Sequence, residues 1–171
     1  MAEVAAAMGG RTGSIYYRFA SRDVLLIRLW VRSVQRFQQV AFAALHEAPG
    51  PDDALVAAAC AVPDYCRGAP DEARALTLYR QDRLLIDCPA ELRPEVASLN
   101  DHLLRLIDET ATARYGRLTP DLRHLTRTAV QWLPYGLVRP FIGSSQPIPP
   151  WVTDAVAAGA RSVLAVGDAW P

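Results

Sequence analysis

The chain reads as an all-α protein. Proline and glycine clusters divide it into segments of helical length, and almost every segment between them shows helical rather than strand periodicity. Helix-start chemistry recurs at the segment edges, most clearly in Ser21-Arg22-Asp23 and Thr119-Pro120-Asp121.

Taken in order, a short helix over residues 2–8 is followed by Gly9-Gly10-Arg11 and a second short helix over residues 12–19. Ser21 is placed to cap the next helix, with Asp23 in its first turn, where a carboxylate complements exposed amides. That long helix is expected to run to about Ala48. Leu25, Leu29, Phe37, Val40 and Ala44 form its apolar stripe, while Arg28, Arg32 and Arg36 recur along a wet side. Pro49-Gly50-Pro51-Asp52-Asp53 marks a loop, from which Asp52 or Asp53 caps a helix reaching Arg67, ended by Gly68-Ala69-Pro70. Helices are expected over residues 71–86 and 94–115, the latter burying Leu99, Leu103, Leu106 and Ile107. Thr119 as N-cap and Pro120 at the first position start a helix reaching about Val138, which Pro134 kinks or locally breaks. Pro147, Pro149 and Pro150 introduce a last helix over residues 151–166.

The bulk composition narrows the class. With 171 residues, 51% of them hydrophobic and 21% charged, the chain is expected to bury a sizeable core rather than stay disordered. No apolar run approaches the roughly 18 to 20 residues that span a bilayer, because Arg28 and Arg32 interrupt the richest one. The first ten residues lack the basic start of a secretory signal, so a cytoplasmic protein without membrane contact is expected. Cys60, Cys66 and Cys88 form no CxxC pair, which suggests buried free thiols and neither a disulfide framework nor a metal site. No nucleophile elbow, phosphate-binding loop, dinucleotide fingerprint or HExxH appears, so neither an enzyme nor a bound cofactor is expected.

Net charge is zero overall, yet it is unevenly spread. Residues 1–39 carry six arginines against Glu3 and Asp23, and the remainder carries twelve arginines against sixteen acids. The N-terminal end is therefore the one suited to a polyanion.

That end holds the one specific pattern. Val4 and Ile15 supply the inner face of a helix pair, small Ala5 allows close approach, and Gly9 permits the turn between them. Burying Ile15 and Phe19 turns Thr12, Gly13, Ser14, Tyr17 and Arg18 towards a partner, a face suited to a major groove.

Through VAAAMGGRTGSIYYRFASRDVLL, residues 4–26, the sequence resembles the tetracycline-repressor (TetR) family of transcriptional regulators. Val4, Ala5, Gly9, Gly13, Ser14, Ile15, Tyr16, Phe19, Ser21, Arg22, Asp23 and Leu25 match the family pattern or substitute similar chemistry. The resemblance implies that Ser14, Tyr16 and Arg22 hold phosphates, and that Thr12, Tyr17 and Arg11 face bases, with Arg18 beside them. It also implies a homodimer on a pseudo-palindromic double-stranded operator, and a small-molecule effector that misaligns the two reading heads.

Relative to the family pattern, Gly10 and Arg11 replace the usual apolar turn residue and N-cap, and Met8 replaces a small residue. The family's preceding helix also has no counterpart in the sequence given, so the expected motif is incomplete, and if these 171 residues are all there is, DNA binding is expected to be weakened or lost. The expected division is a partial helix-turn-helix with its connecting helix over residues 1–45, and a helical ligand-sensing and dimerisation domain over 46–171. Within the latter, Tyr65, Tyr79, Arg83, His102, Trp132 and Tyr135 are the candidate effector contacts, as polar or aromatic groups in otherwise apolar helices. Leu125, Ala129, Trp132, Leu133 and Gly136, with Ala155, Gly159 and Val163, are the candidate dimer surface, or else intrachain core. His46 and His124 read as surface residues. The competing expectation is a dimeric small-molecule-binding or interaction module that has lost DNA binding.

Overall fold

The computed structural model describes residues 19–144 and 146–170, and among these the regular structure is entirely helical. No helix among them is long and apolar enough to cross a membrane.

Helix α1 spans Arg22–Glu47, started by the Ser21 hydroxyl, which accepts a hydrogen bond from the Val24 amide at 3.1 Å. Its buried seam is Ile27, Val31, Val34, Gln38, Ala41 and Leu45, joined by Trp30 and Ser33. This corrects the expected stripe. Leu25, Leu29, Phe37 and Ala44 are only half-buried and Val40 is exposed, because alternating four- and three-residue steps from Ile27 put polar Gln38 into the seam, with Ser33 buried beside it. The arginine side is not simply wet either: Arg28 pairs with Glu95, and Arg32 and Arg36 pair with Glu72.

Helix α2 is Pro51–Gly68, with Gly50 in the N-cap position and Pro51 at the first position, where a missing N–H costs nothing. Asp52 and Asp53 therefore lie inside the first turn instead of capping it. The helix continues through a buried Pro63.

The single helix expected over 71–86 is two, α3 (Pro70–Leu76) and α4 (Gln81–Asp87). Trp30 Nε1 takes the Leu76 carbonyl at 3.2 Å, and the Thr77 hydroxyl takes that of Arg74 at 2.8 Å, so α3 ends with carbonyls already satisfied.

The next long helix is likewise divided, into α5 (Arg93–Ser98) and α6 (Asp101–Tyr115). Side-chain amides occupy the break. Gln38 of α1 donates to the Leu99 carbonyl and to Asn100 Oδ1, Asn100 donates to Gln81, and Gln81 donates to the carbonyls of Val96 and Ala97. Gly116 closes α6 in the left-handed conformation, φ 71°.

Thr119 caps α7 (Pro120–Arg127) by accepting from the Leu122 amide at 3.2 Å. A π-helical turn, Thr128–Trp132, then leads into α8 (Leu133–Val138), with the Leu133 amide bonded to the Thr128 carbonyl. The turn lies just ahead of Pro134, which has no N–H and would crowd the preceding turn of a regular helix. The expected break is thus present. Helix α9 is Trp151–Val166, as its prolines indicate, and a 3₁₀ turn, Gly167–Ala169, follows.

These helices enclose one main core and two flanking ones. The main core joins the second half of α1 to α2, α6, the π turn and α9, through Leu45, Leu55, Ile107, Val130 and Val156. A second lies between the first half of α1 and α4–α5, around Trp30, Leu84, Leu92 and Val96. The third joins α2, α3, α8 and α9 through Cys66, Ala73, Val138 and Val152. Arg114, nearly buried, ties the end of α6 to Asp52 and Asp168 and lies over the Tyr115 ring.

Candidate functional site

A cavity of about 320 Å³ opens where these cores meet. Every element around it contributes small or branched apolar side chains: Ala41 from α1, Ala58 and Val62 from α2, Ala73 and Leu76 from α3, Leu103 and Ile107 from α6, Val130 from the π turn, and Val138 from α8. Alanines at 41, 58 and 73 leave room that larger residues would fill, so the space follows from their small volume. Phe37 adds an aromatic wall.

Polar chemistry is confined to the more exposed lining residues. Thr77, Trp132 and Tyr135 are exposed, the latter two at 50% and 45%, and Gln131 is half-buried. They mark the mouth of the cavity; the deep wall is hydrocarbon apart from the Cys66 thiol. Burial pushes the Cys66 pKa up to about 11, so the group stays protonated and uncharged at neutral pH.

Of the six sequence candidates, Trp132 and Tyr135 line this cavity and the other four do not. Tyr65 lies behind its wall, meeting Phe37 edge to face at 5.5 Å, with its hydroxyl buried and unpartnered among the described residues. Tyr79 packs edge to face on Trp30 at 6.2 Å, inside the α1–α4–α5 core. Arg83 is exposed on α4. His102 is exposed too, its ring tilted against Phe42 at 4.6 Å. Sequence reading passed over most of the lining because alanine, valine and leucine carry no chemical flag.

Of the DNA-contact candidates, Arg11, Thr12, Ser14, Tyr16, Tyr17 and Arg18 lie outside the described residues. Arg22 is the exposed first residue of α1. Cys66 and Cys88 are buried free thiols and Cys60 is half-buried, and His46 and His124 are exposed. No cluster of metal-binding side chains occurs among the described residues.

The candidate dimer residues divide. Ala129 is fully buried within the chain, and Val163 packs against its main core. Gly159 faces Leu133, whose Cδ2 would lie 2.9 Å from an added Cβ, so this close approach is also intrachain. Trp132 and Gly136 are exposed, whereas Leu125, Leu133 and Ala155 are half-buried. Among the described residues, an uncharged stripe along α9 stays exposed at Trp151, Ala158, Ser162, Ala165 and Val166, with half-buried Ala155 within it, bordered on one side by Asp154 and Arg161. No family model, curated protein or solved structure matches the chain.

Proposed function

We propose that the chain is a ligand-responsive, DNA-binding transcriptional regulator of the tetracycline-repressor type, acting as a homodimeric repressor in the cytoplasm. The observation that carries this reading is the placement of α1. It begins at Arg22, within the family-like stretch of residues 4–26, and its middle supplies Phe37 and Ala41 to the cavity wall. On this reading, one continuous helix joins the end of the family-like stretch to the cavity proposed as the effector site. A ligand that binds the body better in one setting of α1 shifts the chain towards that setting and changes operator occupancy.

The exposed stripe on α9 supports a second copy as partner, and a two-fold dimer is what reading both halves of a pseudo-palindromic duplex requires. A body that keeps the cavity and the dimer but not the DNA contact is the second reading. It is favoured by the pairing of Arg28, Arg32 and Arg36 with acids, which reduces the positive charge left for phosphates.

The test is selection of duplexes from a randomised pool, followed by fluorescence anisotropy on the winner. Sequence-specific binding that weakens in Arg22→Ala and Tyr17→Ala supports the regulator; uniform, salt-sensitive binding or none supports the second reading.

A further inference from the structure

The reading of the cavity as the effector site leaves open what enters it, and the lining carries that question further. None of its residues is Asp, Glu, Lys, Arg or His. Ala41, Ala58, Ala73, Ile107 and Val138, which form its deep wall, are each 3% exposed or less. A charge placed among them would lose its hydration and meet no counter-ion.

A smaller cavity shares Cys66, Ala73 and Ile142 with the first, and Arg67 and Arg74 line it. Both cations are already engaged. Arg67 donates to Asp64, to the Ile148 and Pro149 carbonyls and to the Thr153 hydroxyl, and Arg74 pairs with Asp71. The Arg67 donors are largely taken up by the fold, and Arg74, which gives one hydrogen bond to the exposed Asp71, stands in solvent on this second cavity and outside the lining of the first.

We infer that the cavity selects an uncharged, mainly aromatic or hydrocarbon molecule, its hydrocarbon part among Ala41, Ala58, Ala73 and Ile107 and a single polar group at the mouth beside Gln131 and Tyr135. Such a molecule gains from leaving water and keeps its polar group near side chains able to donate or accept. This inference rests on the effector reading only for its biological meaning; the selectivity itself is a property of the lining.

Three probes of similar shape test it on the full chain: neutral N-phenyl-1-naphthylamine, its sulfonate analogue 8-anilinonaphthalene-1-sulfonate, and a naphthyl-trimethylammonium cation. Titration is expected to show the neutral probe binding at least about tenfold more tightly than either ion, with one site per chain. Thr77→Arg, at an exposed mouth position, is expected to reverse the order for the sulfonate, and Gln131→Arg provides a second variant should the first fold poorly. Equal or tighter binding of the sulfonate or the cation by the unaltered chain overturns the inference. So does a sulfonate affinity that neither variant raises while circular dichroism shows both folded. A neutral preference that persists without any effect on DNA binding upholds the inference and removes the regulatory reading instead.

Discussion

The buried hydroxyl of Ser33 on α1 donates to the Glu72 carboxylate of α3 at 2.7 Å. Arg32 and Arg36, one residue before and three after on α1, pair with the other oxygen of the same carboxylate. At the far end of α3, Trp30 Nε1 holds the Leu76 carbonyl. Ala73, between these two fastenings, and the side chain of Leu76 itself are cavity wall. A seven-residue helix is thus pinned to α1 near both ends and contributes to the cavity wall. Displacement of that wall by a ligand would be felt by α1 through Glu72.

Glu72→Gln is expected to lower stability by about 1 kcal/mol at pH 7, since a charge-assisted contact becomes a neutral one. The Ser33 hydrogen bond, with Arg36 and Arg32, holds the Glu72 carboxyl below its ordinary range. A carboxyl depressed in the folded state stabilises the fold above its unfolded pKa, and this contribution is lost as pH falls through the folded value. Urea titrations of both proteins should therefore show a gap that is full at pH 6 to 7 and closes below about pH 4. A gap that stays constant down to pH 3 would mean that ionisation of Glu72 is not its source.

The amide cluster at the α5–α6 break makes a second prediction. Gln38, 7% exposed, gives its two protons to the Leu99 carbonyl and Asn100 Oδ1 at 2.8 and 2.9 Å. Gln38→Leu leaves the buried Leu99 carbonyl and the half-buried Asn100 Oδ1 without that donor and is expected to cost about 2 kcal/mol. Gln39→Leu, at the neighbouring exposed position, should change stability by less than about 0.5 kcal/mol. Denaturant midpoints for the pair decide it, and equal shifts would refute a specific role for Gln38.

Helix starts were legible because their chemistry is local: Ser21, Thr119 and the prolines before Trp151 each act on amides within the next few residues. The two helix breaks were not, because the groups that satisfy the freed carbonyls come from afar: Trp30 reaches Leu76, and Gln38 reaches Leu99. The seam of α1 was misplaced for a related reason. Ser33 and Gln38 look like surface residues until their partners on α3 and at the α5–α6 break are known. Trp132 and Tyr135 could be picked out as cavity residues by their mixed character, whereas Ala41, Ala58 and Ala73 shape the space by what they lack.

Two glycines should respond differently to the same substitution. An alanine Cβ at Gly167 would lie 2.8 Å from Leu122 Cδ2, 2.9 Å from Tyr115 Cε1 and 3.0 Å from Leu125 Cδ2. Leu122 is 1% exposed, and the Tyr115 hydroxyl is tied to the Leu164 carbonyl, so neither yields easily. Gly167→Ala is expected to cost about 2 kcal/mol. At Gly159 the nearest atoms belong to the flexible end of Leu133, and alanine within a helix gains up to about 1 kcal/mol, so Gly159→Ala should be close to neutral. Thermal melts in which Gly159→Ala is the more damaging change would contradict this packing.

The α9 stripe yields the last prediction. Ala158 is exposed at its centre, flanked one turn away by Ala155 and Ser162. A substitution there meets no core residue and should leave the monomer fold intact. If a second copy covers the stripe, however, two arginines are brought face to face across the two-fold axis in an uncharged interface, a costly arrangement without counter-ions. Ala158→Arg is therefore expected to raise the dimer dissociation constant at least a hundredfold, with the far-ultraviolet circular dichroism unchanged. Sedimentation equilibrium measures the first, and Arg161→Ala, a border position, serves as the control with little effect. A dimer that tolerates Ala158→Arg is held together elsewhere, and the α9 stripe is then not the surface proposed to pair the two copies.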